Sequence, residues 1–104
     1  MTIVRGINVF PGQVEAVLLA TPGVTPNFRI LIDRVHELDT MTVQVELNEE
    51  NFSEKMSDLF SLKSEIERKL QSILNLSAKV EFVEIGTIPR YEGKAKRIID
   101  NRKL

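Results

Sequence analysis

Gly93-Lys94 sits within Gly86-Thr87-Ile88-Pro89-Arg90-Tyr91-Glu92-Gly93-Lys94-Ala95-Lys96-Arg97. A glycine beside a lysine on a proline-bounded stretch can deliver a long, flexible cation. The ammonium is a compact point charge suited to a phosphate or a carboxylate. The same dipeptide invites a P-loop reading, and that reading fails. A P-loop needs glycine where Ile88 stands and serine or threonine where Ala95 stands. Nor does the segment follow a strand and open a helix. A solvated basic tail is the plainer reading of these residues, and chemistry alone leaves both open.

Other reactive side chains are few. His36 is the only histidine and lies beside acids in an expected turn, where solvation suits it better than metal ligation or base catalysis. The acids between Glu46 and Glu54 flank a helix start, where negative charge complements the dipole. Their spacing does not converge as a metal site would, and no metal ligands are assigned. With no cysteine, disulfides, thiolate catalysis and Cys-based zinc sites are excluded.

The chain of 104 residues carries 14 Lys+Arg against 15 Asp+Glu, a net charge of −1. The near balance argues against a general nucleic-acid or membrane-surface binder, which wants a basic field. The charge is unevenly spread. From Arg90 to Leu104 there are 6 basic and 2 acidic residues, so a basic tail follows an acidic body. A chain of this length buries roughly two-thirds of its unfolded surface and can fold alone. It is too short for a core together with a roomy nucleotide-and-substrate cleft. No apolar run approaches the ~20 residues of a membrane span, and no signal peptide is visible. A cytoplasmic location is expected.

Elements that could position Lys94 follow from periodicity. Residues 2–9 read as a strand interrupted at Gly6, where a bulge or a close backbone approach is expected. Pro11 suits a first helical position, and Val14, Val17 and Leu18 give a helical stripe ended by Thr21-Pro22-Gly23. Phe28, Ile30 and Ile32, and then Met41, Val43, Val45 and Leu47, alternate with polar neighbours as two half-buried strands. A turn over Val35–Asp39 joins them. A long amphipathic helix over 52–74, capped by Asn51 or Ser53, places Phe60, Ile66, Leu70, Ile73 and Leu74 on one stripe. Ala78, Val80 and Phe82 form a last strand before the irregular basic tail. The order β-α-β-β-α-β predicts an α+β, ferredoxin-like sandwich, with an antiparallel sheet carrying two helices on one face.

Both ends of the chain resemble one family. Ile88-Pro89-Arg90-Tyr91-Glu92-Gly93-Lys94-Ala95-Lys96-Arg97-Ile98-Ile99-Asp100 is similar to the closing motif of phenylacetate–coenzyme A ligases of the adenylate-forming superfamily. Val4-Arg5-Gly6-Ile7-Asn8-Val9-Phe10-Pro11, running into Gln13-Val14-Glu15, resembles that family's segment just after its inter-domain hinge. Thr21-Pro22-Gly23-Val24 and the Leu38-Asp39 region match the middle. Glu92 stands where the wider superfamily often has serine, as in the phenylacetate branch, and Tyr91 replaces a smaller residue.

The resemblance implies a single C-terminal lid domain over residues 1–104, beginning after the hinge, with the tail 86–104 carrying the lysine loop. It implies an N-terminal adenylation domain in the same polypeptide, holding ATP with Mg2+. The substrates would be an aryl acid such as phenylacetate, ATP and coenzyme A. Neither nucleic acid nor membrane is an expected partner. By position, Lys94 would serve adenylation, and Gly93 would let the backbone pass close by. Arg90 and Glu92 would orient the loop or the lysine. Arg5, Gly6 and Asn8 would lie on the loop presented for the thioester step. The isolated chain would be inactive, and Mg2+ would not be bound by it. Two further readings start from the topology alone. An ACT-like small-metabolite regulatory module would want an apolar outer sheet face. An RNA-recognition domain would want aromatics there, and Phe28 and Phe82 share the core-facing stripe instead.

Overall fold

The computed structural model describes residues 2–21, 24–47, 56–84, 86–88 and 98–101. The chain opens with β1 (Thr2–Val4) and β2 (Ile7–Val9), followed by α1 (Pro11–Leu19). Next come the long strands β3 (Val24–Val35) and β4 (Leu38–Leu47), then α2 (Met56–Leu74). The last strands are β5 (Lys79–Val83) and β6 (Ile98–Asp100). The expected caps Asn51 and Ser53, and the breakers Pro22 and Gly23, lie outside the described residues.

Local sequence accounts for the element ends. Pro11 opens α1, and the Gln13 amide oxygen accepts the Phe10 N–H at 3.0 Å, satisfying a donor before the first turn. After α1, the buried Thr21 hydroxyl donates to the Val17 carbonyl at 2.8 Å. His36 and Glu37 both have positive φ, 50° and 66°, which makes a tight primed turn between β3 and β4 without any glycine.

The α+β class with two helices is observed, and the sheet differs from the expected one in detail. The four-stranded sheet runs β5-β4-β3-β6. β3 and β4 are antiparallel, whereas β4–β5 and β3–β6 are parallel, so the sheet is mixed. The cause lies at Arg5 and Gly6. Their φ values of 52° and 77° fold residues 2–9 back on themselves as a hairpin, β1–β2, apart from the sheet. With the first strand withdrawn, β4 and β5, the strands joined through α2, become direct parallel neighbours. The expected irregular tail also returns to the sheet, as β6 along the free edge of β3.

Registry puts Phe28 opposite Val45, Ile30 opposite Val43 and Ile32 opposite Met41, with Val80 beside Val43. That face is buried under Val14, Val17 and Leu18 of α1 and Ile66, Leu70 and Leu74 of α2. Val4 and Val9 root the opening hairpin in the same core. Phe60 and Ile73 depart from the expected stripe and are 70% and 46% exposed. The core row Ile66-Leu70-Leu74 climbs at intervals of four, and these two residues fall beside it. Arg29, Gln44 and Glu81 form a polar row on the opposite face: Arg29 Nε donates to Gln44 Oε1 at 2.9 Å, and Gln44 Nε2 donates to Glu81 Oε1 at 3.0 Å. Such a face offers neither the apolar surface of a dimerising metabolite sensor nor a base-stacking platform.

Candidate functional site

Two features stand out from the scaffold: the tip of the opening hairpin and the anchored start of the tail. At the tip, Val4 pairs with Ile7, Ile3 with Asn8 and Thr2 with Val9, leaving Arg5-Gly6 as a two-residue turn. Both central residues are left-handed, the signature of a type I′ turn, whose preferred sequence is Asn-Gly. Arginine in that conformation is strained, and strain retained at an exposed position points to a use for the side chain. A Cβ on Gly6 would meet nothing within 4 Å, so glycine is needed for its φ and not for space. Arg5, Gly6 and Asn8 are exposed, above the buried Val4 and Val9.

Arg5 also borders a groove of about 740 Å³ between α2 and the β4–β5 edge, lined with Arg68, Gln71, Ser64, Thr42, Ser77 and Lys79. Its two carboxylates are engaged elsewhere. Asp39 Oδ1 accepts from Arg34 Nε at 2.9 Å, and Glu67 Oε2 accepts the Val80 N–H at 2.8 Å. Arg5, Arg68 and Lys79 make no ion pair among the described residues. The groove thus presents three cations against the charge of the Glu67 carboxylate, with Asp39 paired to Arg34, and interleaves them with hydroxyl and amide groups, a net positive setting that favours an anion with several oxygens.

The second feature lies where the chain leaves the sheet. Ile88 is buried outside the main core cluster. Its N–H donates to Glu46 Oε2 at 3.0 Å, and its carbonyl accepts from Asn27 Nδ2 at 3.4 Å. Glu46, on the face away from the helices, is 0% exposed. Sequence reasoning missed Glu46, Asn27 and Ile88. An acid at an alternating strand position reads as solvent-facing, and nothing local foretells that residues 42 and 61 positions apart will meet.

Of the residues expected to act, the fold brings Arg5, Gly6 and Asn8 together at the hairpin. Lys94, Gly93, Glu92 and Arg90 lie outside the described residues, as does Tyr91. The flanks of that stretch are described: Ile88 is held by Glu46 and Asn27, and Ile98 pairs with Ile30. Among the described residues, no three His, Cys, Asp or Glu side chains are grouped so as to hold a metal ion.

The model of the AMP-binding enzyme C-terminal domain matches residues 6–102. The chain belongs to this family. As an AMP-binding enzyme C-terminal domain it is similar to phenylacetate–coenzyme A ligase of Thermus thermophilus, 40% identical over 99% of this chain and 26% of the relative. Its fold is similar to a crystallised domain of phenylacetate–coenzyme A ligase from Bacteroides vulgatus, with a TM-score of 0.88 and 33% identity. That likeness covers 99% of this chain and 93% of the other, so the crystallised chain is little more than this domain. It is also similar to 2-hydroxyisobutyryl-CoA ligase in complex with 2-HIB-AMP and CoA in the thioesterification state, with a TM-score of 0.89 and 32% identity. There the likeness covers 99% of this chain and 21% of that one. The chain spans about a quarter of the length of the curated relatives it matches. Within this C-terminal domain the match begins at Gly6 in the hairpin turn, one residue after Arg5, and takes in the rest of the groove, the Ile88 anchor and the Lys94 segment.

Proposed function

We propose that the chain is the mobile C-terminal domain, residues 1–104, of a cytoplasmic, AMP-forming phenylacetate–coenzyme A ligase. The observation that carries this reading is the strained Arg5-Gly6 tip beside a groove of net positive charge, in a chain matched by the family over nearly its whole length. The acid-binding and nucleotide-binding part would be the N-terminal portion of the same polypeptide. Alone, this domain would be inactive.

In the first half-reaction, an oxygen of the aryl carboxylate attacks the α-phosphorus of ATP. The bond from that phosphorus to the pyrophosphate oxygen breaks, leaving an acyl-adenylate. Lys94 is assigned to this step: an ammonium placed in a dry cleft stabilises the charge gathering between carboxylate and phosphate. Gly93 lets the backbone approach, and Arg90 and Glu92 orient the lysine or its loop. Mg2+ accompanies ATP, and no described residue of this domain is assigned to it. In the second half-reaction, coenzyme A sulfur attacks the acyl carbon and AMP leaves. Arg5, Gly6 and Asn8 are assigned to this step, reached by rotation of the domain about its hinge, each orientation completing a different site. The groove running from Arg5 to Arg68 and Lys79 suits the phosphates of coenzyme A.

The test separates the half-reactions in the full-length ligase. Lys94→Ala should slow acyl-adenylate formation on the order of 10²–10³-fold, the usual cost of losing one such donor. Thioester formation from supplied adenylate should be nearly unchanged. Equal loss in both halves removes Lys94 from adenylation. An immunoblot finding the native polypeptide near 11.8 kDa, instead of several times larger, removes the ligase reading altogether.

A further inference from the structure

Glu46 is costly to place. A carboxylate removed from water is tolerated only when its oxygens are well partnered, and a packed apolar side chain of similar volume serves stability as well or better. Its position in β4 gives it a particular reach. Asn27 and Glu46 adjoin the paired Phe28 and Val45 on the two adjacent strands, where the register shifts between Val24 and Phe28. From there the two side chains take hold of both polar backbone groups of one residue, Ile88, whose own side chain is buried. No buried side-chain nitrogen or oxygen among the described residues lacks a partner. A residue pinned at three points this way is fixed in place and in direction.

That residue is six positions before Lys94. At roughly 3.3–3.6 Å per residue, the pin keeps the Lys94 backbone within about 20 Å of a fixed point. Without it, the last regular element upstream is β5, ending at Val83. Eleven residues then lead to Lys94, so the upstream end of the segment loses its near anchor, while Ile98, four residues beyond Lys94, still limits its reach to about 14 Å. Downstream, Ile98 is held opposite Ile30, three residues along β3 from Asn27. The downstream tether and the Asn27 arm of the upstream one therefore start from the same strand, with Glu46 holding from β4 beside it.

We propose that Glu46, with Asn27, is a positioning residue for adenylation: the pair sets the point and direction in which the chain departs toward Lys94. This rests on the assignment of Lys94 above. Misplacing a catalytic group by about 1 Å can cost on the order of 10²-fold in rate, so a pin remote from the chemistry can govern one step.

Three variants of the full-length ligase test it, each measured by ATP–pyrophosphate exchange and by thioester formation from supplied acyl-adenylate. Glu46→Ala should slow exchange about 10-fold or more, the loss expected for a buried hydrogen bond to a charged group, and change thioester formation less than about 2-fold. Glu46→Gln keeps an acceptor oxygen and should restore most of the exchange. Asn27→Ala should slow exchange several-fold and leave thioester formation alone. Glu46→Ala with unchanged exchange, or with both half-reactions lowered alike, overturns the proposal. If Glu46→Ala does not fold, Asn27→Ala decides by the same split. Lys94→Ala is run alongside. If that variant spares exchange, the Lys94 assignment has failed. If it abolishes exchange while the Glu46 and Asn27 variants do not separate the halves, only the positioning role has failed.

Discussion

Arg5→Asn should make the domain more stable and the ligase worse. Arg5 sits at φ 52° in the first central position of a type I′ turn, with Gly6 at 77° in the second. A left-handed conformation costs an ordinary L-residue roughly 1–2 kcal/mol, and asparagine largely escapes that cost. Asn-Gly is the pair this turn favours. Little is lost in exchange, because Arg5 is exposed and makes no ion pair among the described residues. The net gain should be about 1 kcal/mol, which raises Tm by roughly 4–8 °C in a domain near this size. Urea unfolding of the domain, read as a shift in midpoint at constant slope, measures it directly. A midpoint that stays put or falls would refute the strain argument. In the full-length enzyme the same variant should slow thioester formation and spare ATP–pyrophosphate exchange. A stabilised variant with full thioester activity would free Arg5 from the reaction and leave the turn argument standing.

Glu37 is also left-handed without being glycine, at φ 66°. Glu37→Gly should raise the urea midpoint by the equivalent of ~1 kcal/mol. Ile30→Ala empties a fully buried position on the central strand between Val43 and Ile98. It should cost about 2–5 kcal/mol in equilibrium unfolding, a large part of the roughly 5–15 kcal/mol a domain has. Reversing Arg68 and Lys79 together to glutamate should raise the KM for coenzyme A about 10-fold or more at low salt, since each reversal turns attraction into repulsion. Adding salt should shrink that effect, and ATP–pyrophosphate exchange should not respond.

Much of the scaffold is legible in the residues themselves. The alternations through Phe28-Ile30-Ile32 and Met41-Val43-Val45 can only be strands with one buried face, and these residues line the core. Pro11 marks the start of α1, and the break at His36-Glu37 is the observed turn. The opening hairpin is harder to see. Thr2–Val9 has the alternation of one strand, and only the backbone angles at Arg5-Gly6 decide that it folds on itself. Asn-Gly there would have announced the turn, and Arg-Gly does not. β6 is three residues long, too short for Ile98-Ile99-Asp100 to show any period. The Glu46–Ile88 contact joins residues 42 positions apart, and local pattern carries no information about such a pairing. At the candidate site, the hairpin triad Arg5, Gly6 and Asn8 could be singled out from its family likeness. The pin on Ile88 could not.

The short strand β6 has a bearing on how the protein behaves when it is made or cut. β3 is long, and on the side away from β4 its backbone groups would stand bare over the apolar stretch Ile30–Ile32. β6 occupies that stretch, and the Asn101 N–H extends the pairing to the Ile32 carbonyl at 2.7 Å. The opposite margin, β5, is protected differently, by the exposed charges of Lys79 and Glu81. A polypeptide shortened before Ile98 would keep its hydrophobic core and yet offer a naked template for strand addition, inviting copies to stack edge to edge. Clipping the residues from Ile98 onward would then leave a folded domain that seeds precipitation before any question of catalysis arose.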